Sequence, residues 1–89
     1  MDTYFSYIIE SEKSKRWYYG HSNDLERRVI EHNTGQTKST KNKGPWKLIF
    51  KRQFDSKLEA IKFELELKKL KNKEYIKYKY QQYFIIDFD

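Results

Sequence analysis

With 89 residues, the chain is long enough for one domain with a small core, and its 8 Tyr, 6 Phe and 2 Trp supply large side chains to fill it. It contains no cysteine, which excludes disulfides and thiolate metal sites, and its formal net charge of +6 favours a polyanionic partner such as nucleic acid. No apolar stretch has the length of a membrane span and the N-terminus lacks a signal-peptide pattern, so we expect a cytoplasmic protein that does not contact membranes.

The first two apolar segments predict a β-hairpin. Residues 4–9 and 16–21 are rich in aromatic and β-branched side chains, and a polar turn separates them. Tyr7 and Tyr18 would then lie on neighbouring strands, close enough to contact across the hairpin. Gly20 ends the second strand, where we expect an unusual backbone conformation or a close approach to another group.

A helix, a loop and a third strand are predicted next. Asn23 and Glu26 have the spacing of a capping box, and the helix is expected to reach about His32. Residues 35–45 are polar and contain Gly, Ser and Thr, which is typical of a loop. Residues 46–54 have the composition of a strand.

The C-terminal part predicts two more helices. Ser56 and Glu59 repeat the capping-box pattern and open a helix that reaches about Leu70, and residues 73–80 form a third helix. Residues 83–88 are apolar and are either a short strand or a docked extension. The predicted order is ββαβαα, which indicates an α+β domain with a small three-stranded antiparallel sheet flanked by helices.

Glu64 stands between apolar positions of the second predicted helix. Two arcs of that helix are apolar, and their members are Ala60, Phe63, Leu67 and Leu70 on one and Leu58, Ile61 and Leu65 on the other. A carboxylate on the inward side needs a partner, because burying an isolated charge is costly. One partner is Lys68 at i, i+4. The other is a metal ion: one carboxylate with waters suits Mg²⁺, whereas two His and no Cys disfavour Zn²⁺.

Arg28 and His32 share one face of the first predicted helix because they are four residues apart. A guanidinium on that face is able to hold two phosphate oxygens. The alternative is that Arg27 and Arg28 are ordinary surface residues paired with Glu31 or Asp24.

The tyrosines and histidines also have two readings. Tyr7 and Tyr18 are either packing residues or phenols that orient or deprotonate a water molecule. His21 and His32 are either proton carriers or plain surface histidines.

A basic segment lies between the first helix and the end of the third strand. Residues 33–53 contain six basic residues and no acidic one. Within it, the loop residues Lys38, Lys41 and Lys43 are the best candidates for contacts with a nucleic-acid backbone, by charge rather than by base recognition. The alternative is a solvated lysine-rich surface.

Taken together, the motifs resemble the GIY-YIG nuclease family over about residues 4–76. The segments that carry the resemblance are Phe5-Ser6-Tyr7, Tyr18-Tyr19-Gly20, the strand-to-helix run 20–33, the strand entry 44–49, and the Ala60, Glu64, Lys68 spacing. Phe5 and Ser6 replace the Gly and Ile of the first signature, but its tyrosine remains.

The resemblance implies a single nuclease domain over residues 1–89, with residues 77–89 as a helix end and apolar tail. It implies an endonuclease that hydrolyses phosphodiester bonds in DNA, with structure-selective cleavage of branched or flapped DNA as one expectation, and we associate it with repair or recombination. In the implied site, Glu64 holds one Mg²⁺ or Mn²⁺ ion and Arg28 contacts the phosphate. Tyr18 is the general base or water-positioning phenol, and Tyr7 supports it. His32 is an auxiliary proton carrier or phosphate contact, and Gly20 is the point where the backbone approaches the site. Arg27 and the three loop lysines would hold the nucleic acid.

Two alternatives stay open at this point. The chain could be a non-catalytic nucleic-acid-binding module that uses the basic 38–52 patch, or a protein-interaction domain that uses the tail 83–89. A protein partner would be one source of substrate specificity. The expected oligomeric state is a monomer or a weak homodimer.

Overall fold

The computed structural model describes residues 3–85, which form a three-stranded antiparallel sheet with three α-helices. The elements in chain order are β1 (Tyr4–Ser11), β2 (Trp17–Ser22), α1 (Leu25–Asn33), β3 (Trp46–Phe54), α2 (Lys57–Leu70), α3 (Lys73–Lys79) and a 3₁₀ turn at Gln81–Tyr83. The predicted α+β class and the order ββαβαα are confirmed.

β1 is the central strand, and the sheet order is β2-β1-β3. Tyr7 lies opposite Gly20, and Ile9 lies opposite Tyr18. Tyr7 and Tyr18 are therefore diagonal neighbours on one face of the hairpin rather than a directly opposed pair, a spacing still within reach of aromatic side chains.

The two faces of the sheet carry separate cores because side chains alternate along a strand. On one face Tyr7, Ile9 and Trp46 are buried beneath α1, whose Leu25 and Val29 contact them. The opposite face carries the larger core, which α2 and α3 cover; its buried members are Ile8, Ile49, Phe50, Phe63, Leu67, Ile76 and Tyr80.

The start of α1 differs from the prediction by one residue. Asp24, not Asn23, is the N-cap, and its carboxylate accepts a hydrogen bond from the amide of Arg27 at 3.1 Å. The hydroxyl of Ser22 accepts from the amide of Asp24 at 3.0 Å and donates to its carbonyl at 3.1 Å. This local turn holds Asp24 at the cap position, so the prediction that Asn23 caps the helix is wrong.

α2 begins at the predicted cap, where the hydroxyl of Ser56 accepts from the amide of Glu59 at 3.2 Å. Only one of its two apolar arcs is buried: Ala60, Phe63 and Leu67 face the core, whereas Leu58 and Leu65 are 61% and 54% exposed. The arc of Leu58 and Leu65 faces solvent, so Glu64 lies at the border of the buried arc, and its side chain is 12% exposed.

The chain after α3 docks against β3. Phe84 forms an isolated antiparallel bridge with Phe50, and the amide of Ile85 donates to the carbonyl of Ile49 at 2.8 Å. Within the described part of the predicted tail, a docked extension is correct, and residues 86–89 lie outside the described residues. Among residues 3–85, no helix is both long enough and apolar enough to cross a membrane.

Candidate active site

A polar cleft of about 300 Å³ opens where β1 begins, β2 ends and α1 begins. Its walls include Tyr4, His21, Arg27, Arg28, Glu31 and Lys57. Most of these side chains carry charge, and three of them are cationic at neutral pH, so the cleft suits an anionic group.

Tyr7 lies directly beneath the backbone of Gly20. A Cβ atom at position 20 would stand 2.5 Å from both Cζ and the hydroxyl oxygen of Tyr7, far inside van der Waals contact. Only glycine leaves room for this ring, so the close approach expected at Gly20 is present and involves Tyr7.

A chain of hydrogen bonds starts at the buried hydroxyl of Tyr7, which is 2.8 Å from Nε2 of His32. Nδ1 of His32 is 2.7 Å from the hydroxyl of Thr40, which lies 3.4 Å from the carbonyl of Thr37. Arg28 lies on the cleft side of Tyr7, close enough to lower the pKa of its phenol. The directions are consistent if Tyr7 donates to Nε2, Nδ1–H to Thr40, and Thr40 to the carbonyl.

Burial sets the protonation of both central groups. It raises the pKa of Tyr7 to about 12, although the hydrogen bond and positive charge of Arg28 oppose it. Burial also lowers the pKa of His32 to about 4, and the charge of Arg28 acts in the same direction. At neutral pH the phenol of Tyr7 is protonated and the imidazole of His32 is neutral, which is the state that the hydrogen-bond chain requires.

Tyr18 lies beside this chain and is the more accessible of the two tyrosines. Its ring centroid is 5.0 Å from that of His32, in an edge-on arrangement, and its side chain is half-buried. Tyr18 and Tyr7 are close enough that a charge on Tyr18 raises the pKa of Tyr7.

Arg28 lines the cleft and also forms the surface ion pair that was the alternative predicted from the sequence. Its Nη1 is 3.0 Å from the carboxylate of Glu31, so the surface ion pair is present. Burial lowers the pKa of Arg28, but the hydrogen bonds with Tyr7 and Glu31 outweigh this and raise it. Arg27 shares the same carboxylate at 3.6 Å, so one glutamate partly neutralises two cations at the cleft.

Glu64 is 12% exposed and both of its carboxylate oxygens have partners. Oε1 is 2.6 Å from Nδ1 of His21, and Oε2 is 2.7 Å from Nζ of Lys68. The predicted i, i+4 ion pair is therefore formed. Because His21 also lines the cleft and the charge of Glu64 raises the pKa of Tyr7, this carboxylate belongs to the same site.

The donor set at Glu64 fits a hard divalent cation that keeps most of its waters. Among residues 3–85, no group of three or more His, Cys, Asp and Glu side chains is placed to enclose a metal. One carboxylate is enough for Mg²⁺ when the substrate phosphate adds oxygen ligands. Lys68 is half-exposed at 49%, so its ammonium is free to leave Oε2 for water.

Not all predicted residues come together. Tyr7, Tyr18, Arg28 and His32 form one cluster, Glu64 joins it through His21, and Arg27 lines the cleft. The remaining candidates, Lys38, Lys41 and Lys43, are exposed in the 35–45 loop. Thr40 of this loop contacts His32, and the loop ends at Trp46, which pairs with Ser11 at the other end of β1.

Two partners were not assigned from the sequence. Thr40 lies in a polar loop and only the folded chain brings it to His32, so no local pattern marks it. His21 is separated from Glu64 by 43 positions. The available signals for His21 were its position directly after Gly20 and the acid–base chemistry of an imidazole.

Comparison with known proteins points to one family. The model of the GIY-YIG catalytic domain matches residues 3–80. A UPF0213 protein of Staphylococcus saprophyticus is 42% identical over 69 residues, covering 76% of this chain and 83% of the relative. The UPF0213 protein YazA of Bacillus subtilis is 41% identical over 73 residues, covering 81% and 73%. The solution NMR structure of a UPF0213 protein from Bacillus halodurans superposes with a TM-score of 0.50 at 34% identity, covering 82% of this chain and 78% of that one.

Proposed function

The chain belongs to the GIY-YIG family of nuclease domains, and on that premise we propose that it is a divalent-metal-dependent endonuclease that hydrolyses phosphodiester bonds in DNA. The observation that carries the proposal is the connected site: Arg28 at the cleft, the hydrogen-bonded Tyr7 and His32 behind it, and Glu64 reached through His21. We associate this activity with DNA repair or recombination in the cytosol.

Arg28 is proposed to hold the scissile phosphate. It lines the cleft and its side chain is 32% exposed, so the guanidinium is accessible from solvent. Its ion pair with Glu31 at 3.0 Å holds the guanidinium at the cleft before substrate arrives. A preorganised cation at this place offsets negative charge as it builds up on the phosphate oxygens.

Tyr18 is proposed to orient or deprotonate the attacking water, with Tyr7 and His32 as positioning residues. The fully buried Tyr7 is a weak candidate for direct proton transfer from water, because burial raises its pKa to about 12 and its proton is bonded to His32. The half-buried Tyr18 is nearer to solvent and packs edge-on against His32.

Glu64 is proposed to hold the metal, with Mg²⁺ or Mn²⁺ as the ion. When bound, the ion supplies positive charge that polarises the phosphate and stabilises the leaving oxygen. Glu64 would exchange Lys68 for the ion, and His21 would keep the second carboxylate oxygen in place.

The proposal is tested by cleavage of labelled DNA: a single strand, a duplex, a 5′ flap and a four-way junction, each with Mg²⁺, Mn²⁺ or EDTA. We expect metal-dependent cutting that falls about 10²–10³-fold in Glu64→Gln and in Arg28→Ala. Glu74→Gln is the matched control, because Glu74 is an exposed carboxylate on α3 with a single ion pair to Lys77.

The outcome that would reject the proposal is unchanged metal-dependent cleavage in Glu64→Gln. A protein that binds DNA in a salt-sensitive way and cuts none of the four substrates would instead be the non-catalytic binding module. A protein partner for specificity, and a monomeric or weakly dimeric state, stay predictions.

A further inference from the structure

Two neighbouring clefts lie at the end of β1 opposite the candidate active site. One, of about 550 Å³, lies beneath the 35–45 loop and extends from Lys13 to the edge of the active-site cluster at His32. The other, of about 280 Å³, lies between that loop and the β1–β2 turn. Lys13 lines both clefts, Lys41 lines the first, and Arg16 and Lys43 line the second. We call these four side chains the distal basic surface.

The distal basic surface is held together although its members come from separate segments. The hydroxyl of Ser11, at the end of β1, donates to the carbonyl of Lys43 at 2.7 Å. The amide of Glu12 donates to the carbonyl of Pro45 at 2.9 Å. These bonds attach the turn to the loop, so the four cations have a fixed backbone arrangement.

The charges of this surface are not neutralised within the protein. Among residues 3–85, none of the four side chains forms an ion pair, and neither cleft is lined by an acidic residue. Arg27 and Arg28 differ, because both are paired with Glu31. Four uncompensated cations on one surface favour a polyanion and the release of its counterions.

The clefts offer charge without a ring on which bases could stack. Trp46 is 7% exposed, and its indole N–H donates to the carbonyl of Thr40 at 3.1 Å. Proteins that bind single strands usually present accessible aromatic faces. A surface of cations alone is suited to the phosphate backbone of a duplex.

The distance between the two sites matches a short length of DNA. Tyr4 lines the active cleft and Ser11 ends β1 seven residues later, so at about 3.3 Å per residue the strand places the turn residues Lys13 and Arg16 about 23 Å from that cleft. B-DNA rises about 3.4 Å per base pair, so about seven base pairs span this distance.

We propose that the distal basic surface binds the backbone of a double-stranded arm of the substrate, about seven base pairs from the phosphate in the active cleft. The proposal rests on the nuclease function proposed above and adds to it a required substrate feature, a duplex arm beside the cleavage site. A duplex is stiff over this length, so both contacts form at once only when the arm is long enough.

The test compares Lys13→Gln/Arg16→Gln with Lys62→Gln/Lys69→Gln. All four residues are exposed, the charge change is equal, and the control pair lies on α2, away from both clefts. DNA binding is measured in EDTA, so that no cleavage occurs, with duplex arms of about 2, 7 and 12 base pairs. Steady-state cleavage with metal gives KM and kcat separately.

We expect the wild type to bind more tightly as the arm grows to about 7 base pairs and no more tightly beyond that. The Lys13/Arg16 variant should lose this gain, with a slope of log K against log salt that is smaller by about 1.8 and about tenfold weaker binding per lost contact at 0.1 M salt. Its KM should rise while kcat stays at the wild-type value, because the chemistry occurs in the other cleft.

The proposal is overturned if the Lys13/Arg16 variant and the control pair bind the long-arm duplex alike, or if wild-type affinity does not depend on arm length. Equal affinity and salt slope for a single strand would also overturn it. Absence of cleavage in the wild type would reject the nuclease function, whereas the EDTA binding data would still decide this proposal.

Discussion

Acid should destabilise this fold through one residue, His32. Its ring is 2% exposed, and its Nδ1 and Nε2 contact Thr40 and Tyr7. Protonation would place a positive charge in a buried site whose nearest charges, Arg28 and Glu31, oppose each other. Burial and the charge of Arg28 outweigh the charge of Glu31, so the pKa of His32 is lowered and the folded state resists the proton.

The magnitude follows from the two pKa values of His32. The ordinary value is 6.5 and the folded value is about 4, a difference of about 2.5 that corresponds to about 3 kcal/mol at about 1.36 kcal/mol for each pH unit. Between these values the unfolded chain binds a proton that the folded chain does not. The free energy of unfolding should therefore be unaffected by His32 above pH 6.5, fall as the pH drops below it, and level off below about pH 4.

The assay is urea unfolding of the wild type and of His32→Gln at several values between pH 7.5 and pH 4, followed by tryptophan fluorescence. Carboxylates change the stability of both proteins, so the difference between the two curves isolates the histidine. We expect the variant to be less stable at pH 7 and to lose about 3 kcal/mol less on acidification.

Parallel pH profiles for the wild type and His32→Gln would refute this reasoning. If His32→Gln does not fold, an NMR titration of the His32 ring in the wild type decides the point. A midpoint near 6.5 would show that burial does not exclude the proton.

Three further predictions concern the tyrosine site and the start of α1. Gly20→Ala should destabilise the fold by about 1–3 kcal/mol in urea unfolding, because the new methyl group displaces the ring of Tyr7, and cleavage should fall with it. A fully stable and active Gly20→Ala would contradict the close approach. Tyr7→Phe should cost about 1–3 kcal/mol in the same measurement, since Nε2 of His32 loses its buried partner; a change below about 0.5 kcal/mol would mean that water replaces the hydroxyl. Asp24→Ala should cost about 1 kcal/mol as the loss of an N-cap, and Asn23→Ala, the matched control, should cost much less. Equal losses of stability for the two variants in thermal unfolding would show that Asn23 contributes to the cap as much as Asp24 does.

The fold was predictable because each element has a local signal. Strand composition and the cap at Ser56 needed no knowledge of tertiary structure. The start of α1 was missed by one residue because Asn23 and Asp24 are both good caps, and the hydroxyl of Ser22 decides between them. The apolar arc of Leu58 and Leu65 is exposed, because helical periodicity gives the directions of side chains but not the width of the surface that a partner covers.

The sequence predicted which residues form the site better than it predicted the hydrogen bonds between them. Tyr7, Arg28 and His32 were chosen from motif order, and the fold places them in one hydrogen-bonded cluster. The bonds from His32 to Thr40 and from His21 to Glu64 join distant parts of the chain, so no periodicity reveals them. Charge counting found the basic loop, but it did not show that the β1–β2 turn completes its surface.

The docking of Phe84 and Ile85 on β3 has a consequence for the behaviour of the folded protein in concentrated solution. A three-stranded sheet has two outer strands, and the unpaired amides and carbonyls of each invite pairing with another molecule. The segment after α3 occupies part of the outer side of β3 with its own backbone. β2, the other outer strand, is only six residues long and includes Gly20 near its end. The segment after α3 therefore covers part of the longer edge strand, β3, and hinders intermolecular β-pairing there.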